Sequence, residues 1–272
     1  MHRSIDSLWE KPLMPEARPK LIVFGLSHFC EKARWVLDWH GITYSEISWA
    51  PGLHRVLLKR HGAKGNTLPV LLDGETIVQG SGAIIDWAES KAQDPTRSLK
   101  PQTGNLAEAQ EIERRADEVI GIHVRRLAYA ELLPHYPYIA KRALFPPTSG
   151  WHGRIGGMMW PATRRIMMRA YDIRPGAAPE SRSRLESELD WLDCKLSDCR
   201  SYLVGDRFSR VDVTVASLLA PFARPKERYH ENSVPNALAA DVERWSDRPV
   251  MRWVSAQYRA HRLPLSKRIA SR

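Results

Sequence analysis

A serine and a cysteine stand three residues apart in the stretch Ser27-His28-Phe29-Cys30, between an apolar run and a helical pattern. A helix N-terminus presents free backbone N–H groups and the positive end of the helix dipole, which stabilise a thiolate or another anion. Ser27 is placed to be the N-cap, either as a cap alone or as a hydroxyl that also serves a bound anion. Cys30 is either a second candidate nucleophile or a small buried side chain.

Pro69 is a second informative position, because it follows Leu68 inside an apolar stretch. Proline removes a ladder hydrogen bond from a strand, so it belongs at a strand start or edge, and a cis peptide bond in a tight turn is one way to accommodate it. Ser81 follows at the start of SGAIIDWAES, where we expect it to cap a helix. That helix N-terminus is another position suited to an anion.

The elements that must position these residues follow from hydrophobic patterning. In order, we predict a strand at 21–25, a helix within 27–41 that stops at Gly41, a strand at 42–49, a short helix closed by Gly62, two strands joined at Asp73-Gly74, and a helix from 81 to about 91. A strand–helix–strand order implies a right-handed βαβ unit. The first 91 residues therefore predict an α/β domain.

Beyond a linker at 93–105, strand patterns disappear. Helices are predicted at 106–133, about 161–171, 182–202, 211–220, 237–246 and 249–261, and residues 134–178 are otherwise expected to be irregular. Ser209 and Asp212 have the spacing of a capping box ahead of the apolar helix at 211–220, so we assign them to folding rather than to catalysis. The second half is predicted to be all-α.

Composition limits the class of protein. Three cysteines in 272 residues are too few for a disulfide framework, and no run of 18 apolar residues could cross a membrane. Cys194 and Cys199 lack metal-ligand spacing with nearby histidines, so we expect them to be structural and predict no metal site. Residues 1–19, with three prolines and no apolar core, suggest an extended leader. A reducing cytoplasm is the expected setting.

The formal net charge of +10 is unevenly distributed. Residues 1–95 are neutral overall, whereas 141–176 carry seven basic residues against one acid, and 248–272 carry seven against none. Arg164, Arg165 and Arg169 could share one helix face and bind nucleic acid. No recognition module accompanies them, so we favour a solvated basic surface and expect no nucleic-acid partner.

The sequence resembles the glutathione S-transferase superfamily of the cytosolic type. The N-terminal order of elements, SHFC followed by EKAR, Leu68-Pro69 before a strand, and the helix start at Ser81 resemble its thioredoxin-like domain. GDRFSRVD, with Ser209 and Asp212, resembles the capping box before the buried helix of its second domain. The similarity covers 20–92 well and 180–260 acceptably.

The resemblance implies a fold and a domain layout. It implies an α/β thioredoxin-like, glutathione-binding domain at 20–92 and an all-α domain at 106–262, with an insertion at about 134–178 and a basic tail at 263–272. It also implies a homodimer with no membrane partner.

The resemblance further assigns roles to individual residues. Ser27 falls where some classes have an activating serine and another has a cysteine, and Cys30 falls at the second cysteine of a glutaredoxin CxxC motif. Leu68 would offer its backbone to the cysteinyl part of glutathione beside a cis Pro69, and Ser81 would bind the γ-glutamyl carboxylate. The remaining glutathione contacts assigned by the resemblance are Phe29 and Gly80.

The implied activity is that of a glutathione transferase, in which Ser27 stabilises the thiolate for attack on a small apolar electrophile. If Cys30 faced the ligand instead, thiol exchange would be the chemistry. Two positions depart from the family pattern. Gly80 stands where Glu or Gln is usual, and Thr67 stands near a usual Lys that Lys64 or Lys59 would have to replace. The alternative is therefore a non-catalytic binding or scaffold protein of the same fold with weak or no glutathione affinity.

Overall fold

The structure is a computed structural model that describes residues 18–49, 51, 53–145, 154, 156–229 and 236–263. The leader predicted at 1–19 and the tail predicted at 263–272 lie almost entirely outside these residues. Residues 146–153 and 155 of the predicted insertion also lie outside them.

The N-terminal part is a four-stranded mixed sheet with three helices. Its elements are β1 (Lys20–Val23), α1 (His28–Trp39), β2 (Ser45–Ser48), α2 (Leu53–Arg60), β3 (Val70–Asp73), β4 (Thr76–Gln79) and α3 (Ser81–Lys91). The strand order is β2-β1-β3-β4, with β1 parallel to β2 and β3 antiparallel to both β1 and β4. This arrangement confirms the predicted α/β thioredoxin-like domain.

Glycines with positive φ close two of these elements. Gly41, at φ +67°, ends α1, and Gly74, at φ +57°, forms the β3–β4 hairpin in which Asp73 pairs with Thr76. The second strand begins at Ser45, three residues later than its alternating pattern predicted. Tyr44, just before it, is buried although it is not paired with β1. A buried residue outside the strand therefore contributes to the alternating pattern.

The rest of the chain is helical over the residues described. The helices are α4 (Leu106–Arg115), a π-helical turn (Ala116–Ile120), α5 (Gly121–His135), α6 (Pro137–Leu144), α7 (Trp160–Ala170), α8 (Ala177–Lys195), α9 (Arg210–Ala223), α10 (Asn236–Trp245) and α11 (Pro249–His261). This confirms the all-α second part. The predicted helix at 106–133 is one continuous path interrupted by the π turn, which inserts extra backbone and rotates the side chains of α5.

Two predictions in this half were wrong in detail. Helix α6 forms inside the segment predicted to be irregular, because Pro137 suits a first helical turn and Ala140 is buried against the rest of the fold. The helix predicted at 182–202 is α8, which begins at Ala177 after Gly176, at φ +86°, and ends at Lys195. Leu196 and Leu203 belong to the connection after α8, and both side chains are buried. Their burial continues the apolar pattern beyond the end of the helix.

A continuous apolar core runs through both halves of the fold. It joins Val36 of α1 and Leu71 of β3 to Val213 and Leu219 of α9, and α1 packs directly on α9. A smaller cluster, containing Leu133 of α5 with Phe145, Trp160 and Met167, is formed mostly by residues of the predicted insertion. Because one core spans the sheet and the helices, the boundaries at 92 and 106 remain predictions.

Candidate functional site

Ser27 is the N-cap of α1, as predicted. Its backbone is extended, at φ −69° and ψ 124°, and its Oγ accepts a hydrogen bond from the N–H of Cys30 at 3.3 Å. Its own N–H donates to the carbonyl oxygen of Phe24 at 3.2 Å, which fixes the loop between β1 and α1. No described residue accepts the hydroxyl hydrogen of Ser27, so this half-buried side chain can still donate to a ligand.

Cys30 lies on the inner side of α1. It is 0% exposed and belongs to the apolar core of the sheet domain. Burial raises the pKa of its thiol, which works against a reactive thiolate. The geometry matches the interpretation of Cys30 as a small buried side chain.

The Leu68–Pro69 peptide bond is cis, as the resemblance implied. Leu68 is 9% exposed, and no described residue hydrogen-bonds to its backbone N–H or C=O. Pro69 accepts a hydrogen bond from the N–H of Gly80 at 2.9 Å. This bond joins the cis-proline turn to the beginning of α3, so Leu68 and Ser81 lie at one end of the sheet.

Ser81 is the first residue of α3 rather than its cap, which corrects the sequence prediction. The N-cap is Gly80, which has no side chain to cap with and whose φ of +94° strains any L-residue. The Gly80 carbonyl accepts from the N–H of Ile84 at 3.1 Å. The positive φ therefore explains why residue 80 is a glycine. Ser81 is a buried polar residue in the first turn of α3.

Gln79 is a residue that sequence reasoning missed. Its Oε1 accepts from the N–H of Gly65 at 2.9 Å, and its Nε2 donates to the carbonyl oxygen of Thr67 at 3.1 Å. The side chain thus fixes the loop that leads into the cis-proline turn. Thr67 and Lys64 of this loop are exposed. The sequence signal that could have identified it is a polar residue, Gln79, at the end of a strand and directly before the glycine at which α3 begins.

A second group that sequence reasoning missed comes from α5. Gly121, Arg125 and Tyr129 are spaced four residues apart, so they share one helix face. A Cβ atom on Gly121 would lie 2.5 Å from Cζ of Phe29, which shows how closely α5 approaches the residues after Ser27. The guanidinium of Arg125 lies 5.8 Å from the Phe29 ring centre and 4.6 Å from the Tyr171 ring centre. The four-residue spacing was visible in the sequence, but the partner of that face was not.

The capping box forms as predicted. Asp212 Oδ2 accepts from the Ser209 N–H at 2.8 Å and from the Ser209 hydroxyl at 2.9 Å, while its Oδ1 accepts from the N–H of Leu203. Burial raises the pKa of Asp212 to about 6. With all of its contacts at the start of α9, Asp212 is a structural residue.

The histidines and the other cysteines have ordinary partners or none. His28 is the first residue of α1, and His40 Nε2 lies 2.9 Å from Glu89 Oε1. Cys194 and Cys199 are exposed, not structural as predicted, and Cys199 lies in a turn after α8. Within the described ranges, no cluster of His, Cys, Asp and Glu could hold a metal ion, and no helix could span a membrane.

The basic helix α7 borders a surface groove of about 610 Å³. Its lining residues include Arg164, Arg165, Arg169 and Asp172. Arg164 does not share a free basic face with the others, because its Nε donates to the Leu133 carbonyl oxygen at 2.6 Å. The groove does not include Ser27, Leu68 or Ser81.

Comparisons with known proteins agree with this geometry. Residues 21–96 match the family model described as glutathione S-transferase, N-terminal domain. A search of curated proteins finds no significant match.

Solved structures resemble most of the chain. The glutathione transferase GSTFuA3 from Phanerochaete chrysosporium is 20% identical with a TM-score of 0.63, and the alignment covers 90% of this chain and 98% of that one. Poplar glutathione transferase F1 is 14% identical with a TM-score of 0.60 and coverages of 93% and 97%. The β-etherase LigF from Sphingobium sp. strain SYK-6 is 18% identical with a TM-score of 0.55 and coverages of 88% and 99%.

The structural likenesses establish the fold, and the family match covers the part of the chain that carries Ser27, the cis-proline turn and Ser81. Residues 21–96 therefore match a glutathione S-transferase N-terminal domain, and the chain has the fold of the glutathione transferases to which it is similar.

Proposed function

We propose that this protein is a glutathione transferase that activates the glutathione thiol with Ser27 for attack on a small apolar electrophile. The observation that carries the proposal is the bond from the Gly80 N–H to the Pro69 carbonyl at 2.9 Å. It joins the cis-proline turn to the start of α3, at the end of the sheet where β1 leads into Ser27. Ser27, Leu68 and Ser81 would then each offer polar groups to one extended peptide.

Each residue has a distinct role in the proposal. Leu68 offers its unpartnered backbone N–H and C=O to the cysteinyl residue, as an added strand would. Ser81 binds the γ-glutamyl carboxylate through its hydroxyl and the free N–H groups of the first turn of α3. Phe29, Pro69 and Gly80 border the peptide.

Ser27 acts on the sulfur as a hydrogen-bond donor, not as a covalent nucleophile. Its hydroxyl and the positive end of α1 stabilise the thiolate and lower the pKa of the bound thiol. The thiol proton leaves to solvent, and the sulfur then forms a bond to the electrophilic carbon while the leaving group departs with its electron pair. Cys30 has no part in this step, because it is fully buried.

The test compares Ser27→Ala with Ser197→Ala, an exposed serine in the turn after α8. Ultraviolet thiolate absorbance against pH gives the pKa of bound glutathione, and turnover of 1-chloro-2,4-dinitrobenzene gives kcat/KM. Ser27→Ala should raise that pKa and lower kcat/KM by about 10- to 1000-fold, the scale for one transition-state hydrogen-bond donor. Ser197→Ala should behave as wild type. Wild-type protein that neither binds glutathione nor turns over, with no effect of Ser27→Ala, would refute the proposal.

A second candidate function is a non-catalytic binding or scaffold protein of the same fold. Gly80 favours it, because glycine has no side chain to contact the γ-glutamyl group, and the φ of +94° would strain any other residue at this position. Calorimetry with glutathione separates the two functions. Micromolar binding supports the enzyme, whereas millimolar or absent binding by a folded protein supports the scaffold.

We also propose a cytoplasmic homodimer without nucleic-acid or membrane partners. Exposed thiols at Cys194 and Cys199 suit a reducing compartment. Light scattering after size exclusion tests the dimer. DNA affinity that falls steeply with salt would contradict the expectation that the basic surface serves no nucleic acid.

A further inference from the structure

Arg125 is a cation without an anionic partner among the described residues. Its Nε atom is buried and makes no hydrogen bond to any of them, and no carboxylate lies within ion-pair distance. The contacts that the guanidinium does make are with the faces of Phe29 and Tyr171. Removing such a group from water carries a desolvation cost that a bound anion would recover.

Other arginines of this chain show what a satisfied guanidinium looks like. The adjacent Arg126 donates to Asp172 Oδ2 at 2.6 Å and also contacts Glu180. Arg182 pairs with Asp241 at 2.6 Å. Arg125 differs because its helix face turns toward α1 and the aromatic rings, where none of the residues that the structure describes supplies a carboxylate.

The groups around Arg125 leave its charge uncompensated. Burial lowers the pKa of His28 to about 3, with Arg125 adding to the effect, so this histidine is neutral near pH 7. Burial and the neighbouring Tyr171 raise the pKa of Tyr129, so its phenol is neutral as well. Tyr129 and Tyr171 lie 5.1 Å apart between ring centres. The surroundings are therefore aromatic, with one net positive charge.

This positive charge lies next to the proposed glutathione site. Phe29, which contacts Arg125, is two residues after Ser27, and Gly121 on the same face of α5 lies directly against the Phe29 ring. An electrophile held against Phe29, Tyr129 and Tyr171 would present its outer edge to Arg125.

We propose that Arg125 is a specificity-determining residue that binds a carboxylate on the electrophile, so that the preferred substrates are aromatic carboxylates rather than neutral apolar molecules. This inference rests on the proposed function and narrows its substrate class. An Arg–carboxylate pair beside aromatic faces combines charge-assisted hydrogen bonds with stacking.

A matched pair of electrophiles tests the inference: 4-chloro-3,5-dinitrobenzoate and its methyl ester. In both, the glutathione sulfur forms a bond to the ring carbon and chloride leaves with the bonding pair. Arg125→Gln removes the charge, and Arg165→Gln removes an exposed arginine of α7 as the control. Kinetics give kcat/KM for both electrophiles, and calorimetry gives the dissociation constants of both glutathione conjugates and of the free acid alone.

Wild type should prefer the acid, and Arg125→Gln should weaken both acid turnover and acid-conjugate binding by about 10- to 100-fold, the range for one charged hydrogen-bonded pair. The ester should change by less than about threefold, and Arg165→Gln should change neither. Because Arg125 has no anionic partner among the described residues, Arg125→Gln loses only its contacts with the Phe29 and Tyr171 rings, and the thermal midpoint should change little. Equal effects on acid and ester, or none, overturn the inference.

Two further outcomes separate this inference from the proposed function. If Arg125→Gln weakens glutathione itself and leaves the acid-to-ester ratio unchanged, the anion is a glutathione carboxylate and the substrate inference is wrong. If wild type does not bind glutathione but binds the free acid in an Arg125-dependent manner, the proposed transferase activity fails and the anion site stands.

Discussion

His28 donates from Nε2 to the carbonyl oxygen of Gly121 at 2.9 Å, joining the first residue of α1 to the first residue of α5. Because a carbonyl can only accept, the proton of the neutral imidazole lies on Nε2. This bond connects the helix that carries Ser27 to the helix face that carries Arg125. This buried bond helps to hold the two halves of the proposed site together.

The first prediction concerns pH and His28. Burial lowers its folded-state pKa to about 3 from 6.5, so below pH 6.5 the unfolded chain takes up a proton that the folded chain refuses. The free energy of unfolding is therefore not reduced by His28 above pH 6.5. Below that pH it falls by about 1.4 kcal/mol per pH unit as the pH drops toward 3. His28→Gln should remove this dependence. Urea unfolding at pH 7.5, 6 and 5 measures it, and identical slopes for both proteins would contradict the assignment.

The second prediction concerns the close approach at Gly121. In Gly121→Ala, the new Cβ would lie 2.5 Å from Cζ of Phe29 and 3.2 Å from Leu218, so the ring must move. We expect a loss of about 1–3 kcal/mol in the free energy of unfolding, together with weaker glutathione binding because Phe29 shifts. Chemical unfolding and calorimetry measure the two effects. Gly104→Ala, where a Cβ meets open space, is the control and should leave both unchanged.

The third prediction separates the three cysteines. With iodoacetamide under native conditions, exposed Cys194 and Cys199 should be alkylated, while fully buried Cys30 should be protected. Mass spectrometry should find two modified residues in the folded protein and three in urea. Rapid native alkylation of Cys30 would instead show an accessible thiol and revive thiol exchange as the chemistry.

The fourth prediction concerns the buried ion pairs behind α1. Arg262, 0% exposed, donates from Nε to Glu31 at 2.9 Å and from Nη1 to Asp38 at 2.7 Å, so it fastens the end of α11 to α1. Arg262→Ala should cost about 3 kcal/mol, the lower end for breaking a buried pair, since Glu31 keeps Arg228 and Asp38 keeps Tyr44.

Its control is Arg252→Ala, in which an exposed guanidinium paired with Asp247 is lost. That change should stay within about 1 kcal/mol. Thermal and urea unfolding compare the two variants. If both cost the same, the Arg262 pairs do not hold α11 to α1 in solution.

The elements near Ser27 were predictable because their signals are local. Ser27 caps α1, Asp73-Gly74 turns the hairpin, and Ser209 with Asp212 begins α9, each through contacts within a few residues of sequence. Hydrophobic periodicity located most helices for the same reason. At the end of α8 it failed because Leu196, in the turn that follows, is buried and continues the helical period, whereas α6 is a short helix within a segment rich in Pro, Gly and aromatic residues.

Sequence by itself therefore determined the order of elements and the cap at Ser27, and its resemblance to a known family implied the cis peptide bond before Pro69. Tertiary structure decided the burial of Cys30, the bond from Gly80 to Pro69, and the meeting of Arg125 with Phe29 and Tyr171. The last of these outcomes depends on how α1 and α5 are rotated and packed against each other. Contacts between residues about 90 positions apart leave no periodic signal in the chain, so they appear only when the core has formed.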